Sequence, residues 1–383
     1  GNYINSSTQQ RWFRRVMEYD VYYSTGGGSL VGGGADVWVN HWIENIAPHL
    51  KVKPRLLIHR TRPKVEPTEE QKKKFENSVL SGRGGNQGRV THKKIEKTYK
   101  EVLKQDLEHY WQGDDIQKFK ELLNGARRIN ILHGYYSPHK YLLDNLHKIH
   151  SNAVHVSVDD ILKSSMFLNL DKSYHTYCEQ GWEDIMCENA KHPIWIGVTE
   201  KNLTHPTEHL PNFYEFKHNL DVTDSNMIGF AARMETRKCP HFIEGMEALV
   251  FTANNSIKWW KKYMNLDTSK WKHYGYSHEH TEKFFKKDWG ISHSAHIFEP
   301  FGYSIFQAVD FGKIPILAHD WIPKYDYPLR ASSVKEFHEQ YEKICKMGLE
   351  ERRDILFPLR EYLTKHYGDK QRWVDQMLRI YNE

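Results

Sequence analysis

The chain has 383 residues, 39% of them hydrophobic, 27% charged and 13% aromatic, which excludes a disordered or fibrous chain and leaves room for two cores with a cleft between them. No stretch approaches the ~18 apolar residues that span a bilayer, and residues 1–15 hold no apolar run of signal-peptide length, so a cytoplasmic location is expected. The formal net charge of +5 is modest overall but uneven along the chain, and the four cysteines, which include no CxxC pair, read as reduced thiols.

Residues 19–23 (YDVYY) alternate and are rich in aromatic and β-branched types, which predicts a strand that runs into the glycine-rich STGGGSLVGGGAD of residues 24–36. Apolar residues at 37, 39, 42, 43, 46 and 50 then follow helical spacing, with Pro48 near the end. Strand, glycine loop and helix open an α/β domain. Gly33 and Gly34 let a ligand approach the backbone, and Asp36 is the one carboxylate there, a candidate to orient or deprotonate an acceptor hydroxyl. The loop lacks the spacing of a dinucleotide fingerprint.

A second strand is predicted at residues 55–59 (RLLIH) and a third at 129–132 (INIL), the latter followed by His133 in a loop. Between them, residues 63–128 break the rhythm and read as an insertion. From Gln71 to Lys100 nine Lys or Arg face only Glu76 and Glu96, a local net of +7. Lys72, Lys73, Lys74, Arg83, Arg89, Lys93 and Lys94 are therefore candidate phosphate contacts for double-stranded DNA, with a solvated basic surface as the alternative.

A helix at 139–149, a strand at 153–158 (AVHVSV) and a helix from Asp159 continue the alternation, which implies a parallel sheet. The polar stretch after LPNF places a boundary at about residue 218, dividing the chain into 1–218 and 219–383. The second part is expected to repeat the pattern: strand 227–231, helix 241–251, strand near 257–259, helix 279–287, strand 294–298, helix 304–311, strand 314–318 and a helical tail. The architecture expected is two Rossmann-like domains facing a cleft. Among 24 histidines the one tight cluster, His278 and His280 around Glu279, alternates across a strand, so no metal site is expected.

Two segments of the second part carry chemistry. In FAARMETRKCPHFIEGMEAL, Arg233, Arg237 and Lys238 sit on a strand-to-helix loop, where cations can close on one diphosphate. In HIFEPFGYSIFQAVDFGKIPIL, Glu299 is expected at a strand end and Phe301, Gly302 and Tyr303 in a tight turn before a helix whose free amides can hold phosphate or sugar oxygens. Gln307 lies within reach of a ribose further along that helix.

The order Arg233, Lys238, Glu-Pro-Phe-Gly, then a helix closed by Gly312 and Pro315, resembles the retaining GT-B glycosyltransferases, a group that includes glycogen synthases and sucrose and trehalose-phosphate enzymes. The resemblance covers most of the second part and, more weakly, the glycine loop and His133. It implies a GT-B fold and a nucleotide diphosphate sugar as donor, a UDP-sugar first among them, with no obligatory metal. It further implies diphosphate contacts from Arg233 and Lys238, sugar contacts from Glu299 and His133, and a ribose contact at Gln307, where the family pattern has a second glutamate. LPNFYEF, the Arg-to-Lys loop and YSIFQAVDFGKIPIL are also similar to stretches of the bacteriophage α-glucosyltransferases that act on hydroxymethylcytosine in DNA. That implies a hydroxymethylated pyrimidine in DNA as acceptor; polysaccharide, lipid or protein acceptors, or a non-catalytic GT-B binding module, remain open.

Overall fold

The computed structural model describes residues 18–25, 34–60, 100–101, 108–111, 116–133, 137–154, 182–198, 208–234, 236–252, 257–258, 261–262, 265–275, 280–297 and 299–383. The first sheet contains β1 (Tyr19–Thr25), β2 (Lys53–Arg60), β3 (Glu108–Trp111), β4 (Arg128–His133), β5 (Ile149–Val154), β6 (His192–Trp195) and β7 (Glu208–His209). Its spatial order is β3-β2-β1-β4-β5-β6-β7, with every pairing parallel. Successive residues of a strand point to opposite faces, and a parallel sheet is covered on both. Accordingly Tyr22 packs on Trp42 of α1 (Gly34–Asn45) and Tyr23 on Phe119 of α2 (Ile116–Gly125), all four fully buried. The helix α3 (Trp182–Asn189) leads into β6.

The second sheet contains β8 (Ile228–Ala231), β9 (Ala248–Thr252), β10 (Trp271–Gly275), β11 (Ile291–Ser294) and β12 (Ile314–Leu317), ordered β10-β9-β8-β11-β12 and again parallel throughout. Its helices are α4 (Thr281–Phe285), α5 (Tyr303–Asp310), α6 (Val334–Cys345) and α7 (Leu349–Tyr367). Both sheets reverse strand order once, at β1/β4 and at β8/β11. A doubly wound sheet opens a crevice beyond the carboxyl ends of the strands at that reversal, because the flanking loops diverge to opposite faces.

The last helix, α8 (Lys370–Tyr381), does not stay with the second sheet. Trp373, Val374, Met377, Ile380 and Tyr381 enter the core of the first, with Trp373 edge-on to Trp38 at 5.6 Å and Tyr381 edge-on to Tyr22 at 5.4 Å. The connection between the sheets is also pinned. The buried Asp310 carboxylate accepts from Tyr214 Oη (2.9 Å) and from the amides of Lys217 (3.1 Å) and His218 (3.0 Å), with Arg360 at 3.4 Å as its cation. A third junction joins the Val198 amide to Pro300 O at 2.8 Å, and a fourth sets the His41 ring 6.1 Å from that of Tyr303. Among the described residues no helix is long and apolar enough to cross a membrane.

Several expected elements differ. Residues 241–251, expected as one helix, form a short 3-10 turn (Pro240–Ile243) and then β9, because Gly245 takes φ +70° and ends the helical run before the buried Ala248–Thr252. Ile257 and Lys258 are helical, where a strand was expected. The strand expected at 153–158 lies earlier, at β5, paired from Ile149 to Ile129; the strand expected at 294–298 lies at β11. The interval 63–128 is not wholly an insertion, since β3 pairs with β2 and α2 supplies Phe119 to the core.

Candidate functional site

The β8/β11 reversal brings the two chemistry-bearing segments to one edge. Arg233 lies two residues beyond β8, half-buried, and Lys238 ends a 3-10 turn, Thr236–Lys238. From the neighbouring strand, His296 lies two residues beyond β11 and Glu299 three further on; β11 ends at Ser294, so Glu299 sits on the loop and not at the strand end as expected.

Lys238 and Glu299 form an ion pair with side chains only 12% and 8% exposed, and His296 Nδ1 lies 3.2 Å from Glu299 Oε2. Burial alone would raise the pKa of Glu299. Lys238 first, then the hydrogen bond from His296 and the charge of Arg237, outweigh burial and hold the carboxyl well below the usual carboxylate range. Glu299 is therefore an anion that only accepts hydrogen bonds, as sugar hydroxyls require. Lys238, expected to meet a diphosphate, is engaged by this carboxylate.

The loop then turns through Phe301 and Gly302 into α5. Phe301 is a core anchor: its ring stacks on Phe306 at 4.5 Å, and its carbonyl accepts from Trp321 Nε1 at 3.0 Å. Gly302 adopts φ +82°, and a Cβ there would meet Ile305 Cδ1 at 2.9 Å and Glu299 Cγ at 3.0 Å, so glycine permits both the turn and the position of the carboxylate. No side chain caps α5, and although the Ile305 amide donates to Gly302 O at 2.9 Å, the amides of Tyr303 and Ser304 ahead of it are placed to meet an anion. Three of the fourteen buried side-chain polar atoms without hydrogen-bond partners among the described residues belong to this edge, His296 Nε2, Tyr303 Oη and Thr252 Oγ1 at the end of β9; the others are spread over both sheets. Gln307 lies half-buried on the second turn of α5.

At the first sheet's reversal, His133 is the last residue of β4 and half-buried, and β1 ends at Thr25. Gly34 opens α1 and Asp36 is its third residue, on the helix and not on the loop. Gly33 and the candidate DNA contacts Lys72, Lys73, Lys74, Arg83, Arg89, Lys93 and Lys94 lie outside the described residues, as do His278 and Glu279. His296 was missed by sequence reasoning; its signal was the spacing of three residues before Glu299, lost among 24 histidines.

Among the described residues one group has metal-ligand character: His150, His192 and Glu383. It lies at the opposite edge of the first sheet, where β5 and β6 begin. His150 Nε2 lies 2.8 Å from Ile380 O, Arg128 Nη1 stands 3.4 Å from the same nitrogen, and Lys191 pairs with Glu383 at 2.9 Å. Two cations beside the ligands oppose a third, and the group ties α8 to the sheet.

No protein-family model matches the sequence, and no curated protein matches it. Solved structures do match by fold. An alpha-glucosyltransferase in complex with UDP aligns over 96% of this chain and 100% of its own at 11% identity and TM-score 0.52. An E. coli trehalose-6-phosphate structure bound with UDP-2-fluoro glucose aligns over 96% and 99% at 9% identity and TM-score 0.53. The chain spans 57% of the length of S. aureus TarM, with 70% of this chain aligned at 13% identity and TM-score 0.49. The chain has the GT-B fold, with two parallel α/β sheets that each reverse strand order once.

Proposed function

We propose that this chain is a retaining glycosyltransferase that moves a sugar from a UDP-sugar to a hydroxyl of hydroxymethylated pyrimidine in DNA. The observation that carries the donor half is the convergence of Arg233, Lys238, Glu299 and the uncapped start of α5 at the β8/β11 reversal. UDP and a UDP-sugar analogue occupy fold neighbours, which supports the same ligand class here.

In the reaction the acceptor oxygen bonds to the anomeric carbon as the bond from that carbon to the diphosphate oxygen breaks on the same face. The departing phosphate oxygen takes the acceptor proton, so no carboxylate nucleophile is needed. Arg233, Lys238 and the α5 amides stabilise charge building on the diphosphate, the effect that usually dominates catalysis of this kind. Glu299 accepts from sugar hydroxyls and His133 faces the sugar from the first sheet. Asp36 orients the acceptor hydroxyl from the start of α1.

The acceptor half rests on the basic run from Lys72 to Lys100 and on the similarity to phage DNA glucosyltransferases. The test is a mass-spectrometric screen of UDP-sugars against hydroxymethylated and unmodified duplex DNA. The expected result is a hexose or pentose added to hydroxymethylated DNA alone. DNA affinity should fall steeply with salt, and the slope should shrink when Arg83, Arg89, Lys93 and Lys94 become Ala. Donor hydrolysis without DNA modification would move the acceptor to polysaccharide, lipid or protein; no binding or turnover of any sugar nucleotide would sink the proposal.

A further inference from the structure

His296 stands apart from the donor contacts. Its side chain is 2% exposed, and an ionised carboxylate offers Nδ1 only acceptors, so Nδ1 carries the proton. A second proton on Nε2 would be a buried N–H without an acceptor, and Lys238 and Arg237 add cationic repulsion. Burial, the largest effect, lowers its pKa in the same sense. The neutral Nδ1–H tautomer follows from chemistry alone.

The Lys238–Glu299 pair poses a difficulty for a donor site. Lys238 is one ammonium, and an entering diphosphate competes for it. A carboxylate as buried as Glu299 is less stable once Lys238 turns away, since the largest offset to its desolvation is lost. His296 is the partner that does not compete for phosphate, because as a neutral imidazole with its one N–H on Glu299 it has nothing to offer an anion.

We propose that His296 is a positioning residue whose Nδ1–H holds the Glu299 carboxylate in the crevice while Lys238 passes from that carboxylate to the entering diphosphate. This rests on the donor site argued above. His296 itself touches neither phosphate nor reacting atoms.

The test uses the full chain with 15N-labelled histidine, and two variants. The ring nitrogens of His296 should report the Nδ1–H tautomer with and without UDP. His296→Leu, which fills the volume without a donor, should lower kcat about ten- to a hundredfold, the worth of a hydrogen bond to a charged group. UDP affinity should fall as well, because UDP carries the diphosphate that draws Lys238 away and Leu offers Glu299 no hydrogen bond in its place. His296→Asn, whose amide N–H lies near the place of Nδ1, should restore most of the rate. The Nε2–H tautomer, loss of the Nδ1–H bond on adding UDP, or an Asn variant no better than Leu with equal thermal unfolding would overturn the proposal while leaving the donor site standing. UDP affinity unchanged in His296→Leu would do the same, since Lys238 would then leave the carboxylate without help from His296. A wild-type chain that binds no UDP overturns the donor reading and this proposal together, and if His296→Leu does not fold, the tautomer measurement decides.

Discussion

The five strands of the second sheet repeat the order of the first five strands of the seven-stranded first sheet and present the same kind of edge, yet the edges are built differently. At the second sheet the loops from β8 and β11 run directly into a buried set of charges in which Lys238, Glu299 and His296 fix one another. At the first, β4 ends on the half-buried His133, and β1 leads to a glycine-rich approach to α1. The second edge thus carries fixed ionic and hydrogen-bonded order where the first carries a single half-buried imidazole among its described residues.

The largest effect expected comes from cutting the fixed charges. Lys238→Met leaves the Glu299 carboxylate buried without its cation, and removing one partner of a buried pair costs about 3–5 kcal/mol. Chemical denaturation should show that loss. Adding Glu299→Gln should recover most of the stability while transfer stays down about a hundred- to a thousandfold, the cost of losing a preorganised charge at a developing oxyanion. If the double variant regains both, the second edge is a structural ion pair and the contrast between the edges collapses.

The second edge was legible in sequence because its chemistry is local. Arg233 and Lys238 share one loop, Glu299 and Gly302 another, and α5 and β12 fall where residues 304–311 and 314–318 were expected. What was not legible depends on distance in the chain. The spacing of Trp373, Met377 and Ile380 announces an amphipathic helix but not that its partner is Trp38 in the other half. Similarly, Phe242, Ile243, Met246 and Val250 match a helical stripe, and only the positive φ of Gly245 converts the second half of it into β9. The short edge strands β3 and β7 owe their existence to a neighbour already in place, a tertiary effect that local pattern does not encode.

A second expected effect probes the place where the halves touch. His41 on α1 packs against Phe213 at 4.5 Å and Trp373 at 6.5 Å and faces Tyr303 across the junction. Burial, aided by the charges of Lys217 and Lys370, lowers its pKa to about 4. The unfolded chain therefore binds this proton more readily than the folded one. The stability involved is complete above pH ~6.5 and is lost as pH falls toward ~4. By pH 4.5 the loss is about 2 kcal/mol, the ~2.6 that the two pKa values give at that pH reduced for the part of the ring that still meets solvent. Urea unfolding at pH 7 and pH 4.5 should show a smaller drop for His41→Phe than for wild type. Equal drops would mean that the junction carries no buried histidine penalty and that the two halves titrate independently of their contact.

The smallest change with a definite outcome is Gly302→Ala, which tests whether backbone geometry and carboxylate placement are one feature. At φ +82° an alanine costs about 1–2 kcal/mol, and its Cβ presses on Ile305 and on Cγ of Glu299. Because Glu299 is held from the other side by Lys238 and His296, the strain must either unseat the carboxylate or shift the turn that starts α5. On the proposed donor site either movement weakens sugar and diphosphate contacts, and kcat/KM should fall about tenfold, equivalent to ~1.4 kcal/mol. Steady-state kinetics beside thermal unfolding separates the two costs. A variant that loses stability yet keeps its full rate would place the reacting sugar away from Glu299, and the second edge would then owe its order to folding and not to the donor.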